Sequence, residues 1–131
     1  MVFMKCERCG NLITYLYHSG VYPQCCGEPM KMLVPGISDG KAEAHVPVLR
    51  LVTGTCKGKS VSRVIVDVGD IAHPMSENHF IQWILLETDQ GFKIHNLTPY
   101  DEPSAVFELD EETPIAAYAY CNIHGLWRAE I

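Results

Sequence analysis

No stretch of this chain approaches the ~18 uninterrupted apolar residues of a membrane-spanning helix, so a membrane role of that kind is not expected. Basic residues are also scarce. Ten Lys and Arg stand against sixteen Asp and Glu, a formal net charge of −6. Nucleic-acid binding relies on Lys and Arg to neutralise phosphates, so no nucleic-acid partner is expected. A small anion drawn to a local positive patch is still compatible with this balance. Repeats, low-complexity segments and convincing amphipathic helices are all missing. The first residues, Met1-Val2-Phe3-Met4-Lys5-Cys6, run directly into a cysteine motif. A secretory signal has no room there, and a cytoplasmic location is expected.

What the chain does have is cysteine and histidine, unevenly spread. Four of the six cysteines fall within the first 26 residues, while five of the six histidines lie from His45 onward. In a reducing compartment six cysteines point to metal or redox chemistry rather than to disulfides. Two metal sites of different composition account for the asymmetry. Cys6-Glu7-Arg8-Cys9 and the adjacent pair Cys25-Cys26 make a four-thiolate set, suited to zinc or iron. Neighbouring cysteines reach one ion only with a strained bite, so a distorted tetrahedron is expected. A piece of some 36 residues buries too little apolar surface to fold unaided, and the metal should stabilise it.

The turn-rich run Pro35 to Gly40 marks a boundary, giving a small domain over residues 1–36 and a larger one over 37–131. Strands are predicted over 45–53, 61–68, 80–87, 92–97, 105–109 and 115–120, with a further short one over 12–17. Val64, Val66 and Val68 alternate with Ile65 and Asp67, whereas 80–86 is nearly continuously apolar. A half-exposed strand and a buried strand fit two packed sheets, hence a mainly β protein with a sandwich of about seven strands. Residues 53–60 read as a polar loop carrying a lone surface thiol, Cys56. His18 is read as an exposed turn residue and His95 as structural or exposed.

Cys121-Asn122-Ile123-His124 places a thiol and an imidazole three positions apart. His73-Pro74-Met75-Ser76-Glu77-Asn78-His79 and His45 offer three more imidazoles. Structural zinc prefers a closed set of four ligands. One sulfur and four nitrogens favour iron with one position open.

Cys-Glu-x-Cys-Gly-Asn at 6–11 and Cys-Cys-Gly-Glu-Pro-Met at 25–30 closely resemble desulforedoxin and the amino-terminal domain of desulfoferrodoxin. Glu-x-His-Val-Pro-Val at 43–48, His-Pro-Met-x-x-x-His-Phe-Ile-Gln-Trp-Ile at 73–84 and Tyr-Cys-Asn-x-His-Gly-Leu-Trp at 120–127 resemble the catalytic domain of superoxide reductases. The order of motifs is that of the two-iron desulfoferrodoxins. The resemblance implies an immunoglobulin-like β-sandwich behind a small desulforedoxin-like domain. It implies a rubredoxin-like iron on Cys6, Cys9, Cys25 and Cys26, a cage that also accepts zinc. It further implies iron held by His45, His73, His79 and His124 in a plane with Cys121 as axial thiolate. Glu43 matches the glutamate that ligates ferric iron once peroxide has left. The implied activity is reduction of superoxide to hydrogen peroxide, with rubredoxin as electron donor and a homodimer as the assembly.

One residue departs from the pattern. Ala44 stands where most members carry a lysine that attracts superoxide and helps deliver a proton. One of Lys41, Lys57, Lys59 and Arg63 is expected to supply the missing charge. The competing expectation is an iron-binding electron-transfer protein with little superoxide reductase activity, because that lysine is gone.

Overall fold

The structure, a computed structural model, describes residues 1–36 and 40–131. Residues 37–39, in the middle of the predicted linker, lie outside the described residues. The chain divides into two compact units, Met1–Val34 and Pro35–Ile131.

The first unit is built from five very short strands: β1 (Phe3–Lys5), β2 (Leu12–Thr14), β3 (Gln24–Cys25), β4 (Glu28–Pro29) and β5 (Lys31–Met32). They form a three-stranded antiparallel sheet, β2-β1-β5, and a separate hairpin, β3-β4. The core is correspondingly small. Met4, Cys6 and Met30 are its buried members, with Val2, Tyr15 and Cys25 packed against them. The strand predicted over 12–17 stops at Thr14, because Tyr15 turns its ring onto this core. His18 is half-buried rather than exposed: its ring lies 4.2 Å from that of Tyr15, and its Nε2 is fully buried.

The second unit holds a one-turn helix, α1 (Ala42–His45), and seven strands: β6 (Pro47–Cys56), β7 (Lys59–Val68), β8 (Ile81–Thr88), β9 (Gly91–Asn96), β10 (Ser104–Leu109), β11 (Pro114–Cys121) and β12 (Gly125–Glu130). Two antiparallel sheets result, β10-β7-β6 and β12-β11-β8-β9. Their facing sides share one core, with Val64, Val66 and Val68 from one sheet meeting Ile84, Leu86, Ala117 and Ala119 from the other. This is the seven-stranded β-sandwich that the alternation in β7 predicts. Each of the Val, Ile and Leu side chains contributes on the order of 1.5–3 kcal/mol on burial, and the inventory is large enough to make this unit self-supporting.

Three local predictions change. Residues 53–60 are not a loop, because β6 and β7 stay paired from Thr53↔Ser62 out to Cys56↔Lys59 around a turn at Lys57-Gly58. His45 ends α1 instead of opening a strand. A seventh strand, β12, follows the Cys121–His124 turn.

A tight turn supports α1. The Gly69 amide donates to the Val46 carbonyl at 3.1 Å, and that of Ile71 to the Glu43 carbonyl at 3.0 Å. Gly69 sits at φ +86, and a Cβ there would lie 2.7 Å from the Ala44 carbonyl carbon. Only glycine combines that backbone conformation with so close an approach.

Candidate metal centres

Four imidazoles and one thiol converge at one end of the sandwich. His45 leaves α1, His73 and His79 come from the loop between β7 and β8, and Cys121 and His124 flank the turn between β11 and β12. One ligating atom from each lies within 4.8 Å of every other. Taken in the order His45, His73, His79, His124, successive rings are 4.5–5.0 Å apart and meet at 70–88°. Across the set, His45 and His79 are 6.2 Å apart and inclined by only 30°. The four rings therefore form a pinwheel with their edges toward a common centre.

Proton accounting indicates what that centre requires. His45 Nδ1 lies 2.7 Å from the Lys41 carbonyl and His73 Nδ1 2.6 Å from the Pro74 carbonyl. A carbonyl only accepts, so both rings must carry their proton on Nδ1, which leaves a lone pair on Nε2. Yet His45 Nε2 lies 3.1 Å from His73 Nε2 and 3.0 Å from His124 Nδ1. Burial depresses the His45 and His79 pKa values and takes His73 down to about 4, so protonation does not relieve the conflict at neutral pH. His79 Nε2 is buried with no partner. Converging lone pairs and an orphaned nitrogen fit a cation. Two nitrogens about 2.1 Å from one ion and at right angles lie about 3.0 Å apart. His124 presents Nδ1 because it follows Cys121 by only three residues, and the nearer nitrogen faces the site.

The sulfur lies on the core side. Cys121 is fully buried within the sandwich core, and burial pushes its thiol pKa up. The His124 amide donates to Sγ at 3.3 Å, which favours the thiolate form. Trp127 braces two ligands, stacking on the His45 ring at 4.9 Å and donating from Nε1 to the His124 carbonyl at 3.1 Å. Gly40 closes in from the linker. A Cβ there would lie 2.9 Å from His124 Cβ and Cγ and 3.0 Å from His45 Cε1. Gly40→Ala should displace those rings and weaken metal retention on the order of 10- to 100-fold. Release to a competing chelator measures this, and parental release kinetics would contradict the packing argument.

The first unit gathers Cys6, Cys9, Cys25 and Cys26 within the same 4.8 Å limit. Cys9 Sγ lies 3.5 Å from Cys25 Sγ, and Nδ2 of the Asn11 side chain donates to Cys25 Sγ at 3.6 Å. The adjacent pair converges because Cys26 takes a left-handed backbone, φ 52, followed by Gly27 at φ 76. A non-glycine residue held there costs on the order of 1–2 kcal/mol. The Cys9 amide bonded to Cys6 Sγ brings the Cys6 pKa down to about 6, while hydrogen bonding with Cys9 and then Cys6 pushes Cys26 up to about 12. One thiolate forms readily and the last does not, so four together call for a cation.

A family profile described as Desulfoferrodoxin matches residues 37–130. The chain belongs to the desulfoferrodoxin family. Desulfoferrodoxin from Nitratidesulfovibrio vulgaris is 42% identical over 126 residues, covering 96% of this chain and 93% of that one. A superoxide reductase from Thermococcus kodakarensis is 36% identical over 107 residues, covering 71% of this chain and 90% of its own. Among solved structures, the superoxide reductase from Treponema pallidum superposes with a TM-score of 0.76 at 29% identity, covering 98% of both chains.

Over the histidine set lies a cavity of about 340 Å³, lined by Gly40, Lys41, Ala44, Pro74 and the rings of His45, His79 and His124. Cys121 is not among its walls. Lys41 is the one lysine or arginine among the lining residues. Lys57, Lys59 and Arg63 belong to the β6–β7 hairpin, and Arg63 is paired with Glu108 at 3.2 Å. Glu43 is exposed on α1, outside both the five-residue cluster and the cavity lining. His95 lies exposed on β9, and Cys56 is an exposed free thiol on the hairpin.

Proposed function

We propose that this chain is a superoxide reductase, with iron held by His45, His73, His79, His124 and Cys121, and that a second iron on Cys6, Cys9, Cys25 and Cys26 organises residues 1–36. The observation that carries it is the pinwheel of four imidazoles with a buried sulfur beside it and a cavity over it that Lys41 helps to line. The chemistry that ferrous iron supplies there, when bound, is one electron, which with two protons turns superoxide into hydrogen peroxide.

The residues of the chain do the rest. The Lys41 and Pro74 carbonyls fix ring tautomer and orientation at His45 and His73, and the His124 amide steadies the sulfur. Cys121 would supply the iron with a thiolate, an electron-rich ligand that favours electron donation to the substrate. Glu43, exposed on the short helix that ends at His45, would be a further carboxylate ligand to the oxidised iron. Residues 37–131 form the catalytic domain. Family likeness supports rubredoxin as electron donor, a homodimer and a cytoplasmic location. The carrier reading rested on the charge lost at Ala44, and Lys41 on the same cavity supplies a charge.

Pulse radiolysis of the ferrous protein tests the activity. One hydrogen peroxide per superoxide and no dioxygen is expected; dioxygen release, or no fast reaction, would rule reduction out. Lys41→Ala should lower the second-order rate about tenfold at low ionic strength and flatten its salt dependence. With a net charge of −6, local cations carry the attraction of an anion. Lys57→Ala, Lys59→Ala and Arg63→Ala should behave like the parent. A parental rate and salt slope for Lys41→Ala would remove it from this role.

A further inference from the structure

His79 lies in the loop that leads into β8 and Cys121 ends β11, and regular pairing between these strands fails beside the site. β8 and β11 pair in register through Trp83↔Tyr120, then shift, so that Cys121 faces Ile81. Beyond that irregularity Asn122 takes over. Its main-chain amide donates to the Phe80 carbonyl at 3.2 Å. Its Oδ1 accepts from the Phe80 amide at 2.9 Å, and its Nδ2 donates to the Asn78 carbonyl at 3.0 Å. The side-chain amide thus acts as an extra peptide group, pairing with the backbone on both sides of His79. The His79 backbone is itself tied to Ser76 by two hydrogen bonds, at 2.9 and 3.2 Å. Without the Asn122 side chain, one hydrogen bond from the Asn122 main chain would remain of these three.

We propose that Asn122 is a positioning residue, whose side chain sets His79 in place relative to the Cys121 sulfur and so fixes one corner of the metal's ligand set. This rests on the metal reading given above. The position is exacting, because Oδ1 also lies 4.0 Å from Cys121 Sγ. Any change there alters the hold on His79 and the field at the sulfur together.

The test uses the full-length protein with three variants. Asn122→Ala should lose hydrogen-exchange protection at the Phe80 amide, release metal to a chelator on the order of tenfold faster, and shift the visible thiolate-to-metal absorption. Asn122→Asp keeps the acceptor and loses the donor. It should retain Phe80 protection, release metal at an intermediate rate, and lower the reduction potential because a negative charge then stands beside the sulfur. Asn78→Ala leaves the accepting carbonyl in place and should match the parent throughout. The proposal is overturned if Asn122→Ala keeps parental Phe80 protection, release and spectrum. Should that variant not fold, Asn122→Asp decides: lost Phe80 protection, or parental release and potential, overturns the proposal. The exchange readout can also be taken on metal-free protein, so its failure is separable from failure of the metal assignment, which a parent lacking the thiolate absorption would reveal.

Discussion

Replacing Cys121 with serine should leave a folded, metal-loaded protein whose rate with superoxide has fallen by on the order of 10²-fold or more. The two side chains are similar in size, and the β11 position is fully buried, so the sandwich tolerates the exchange better than the chemistry does. Burial already raises the Cys121 thiol pKa, which means that the ionised sulfur exists because a cation and the His124 amide stabilise it. A serine hydroxyl ionises far less readily and is a harder, poorer electron donor. Four imidazoles would still hold an ion, so metal content should stay near parental while the thiolate absorption disappears. A factor of 10² corresponds to about 2.7 kcal/mol of transition-state stabilisation, a reasonable share for one electron-donating ligand. Elemental analysis, the visible spectrum and pulse radiolysis on one sample decide the matter. A fully loaded Cys121→Ser protein reacting at the parental rate would show that the sulfur is structural, and the competing carrier reading would regain ground.

The parts of this structure visible in the sequence are those with a local signature. β7 was legible because Val64, Val66 and Val68 alternate on one buried face. The outer half of the β6–β7 hairpin was not, since its residues are exposed on both faces and no alternation arises. In β12, Leu126 and Trp127 are buried in succession, which blurs the two-residue period. One turn of helix is too short to show a 3.6-residue period, so α1 went unseen. The same division applies at the site. Every member of the His and Cys set stands in a recognisable motif, and the structure brings all five together. Gly40, Gly69 and Asn122 were missed as supports because each acts on residues far along the chain. Asn122 lies 42 positions from Phe80, and no spacing rule links them. Among the four candidate cations, only three-dimensional placement distinguishes Lys41 from the hairpin residues.

Stripping metal from the four-cysteine cluster should unfold Met1–Val34 while Pro35–Ile131 keeps its sandwich. The two units differ in what holds them. The second has a continuous core between two sheets, whereas the first has four buried residues, Phe3, Met4, Cys6 and Met30, and strands of two or three residues. Its charged pairs do not compensate. Arg8–Glu28 at 2.7 Å and Lys31–Glu7 at 3.0 Å are solvent-exposed, where screening by water leaves such pairs with little stabilising effect. Cys26 adds a left-handed backbone that opposes the fold. A four-thiolate ion, by contrast, contributes apparent binding free energies of about 10–16 kcal/mol in small metal domains, and chains below about 40 residues rarely fold without such help. Hydrogen exchange after chelation under reducing conditions should therefore show protection lost in β1, β2 and β5 and retained in β7, β8 and β11. Reloading with iron or with zinc should each restore it, because four thiolates accept either ion. Protection surviving in β1 of the metal-free protein would mean that the small core suffices, and that the cluster is there for electron transfer alone.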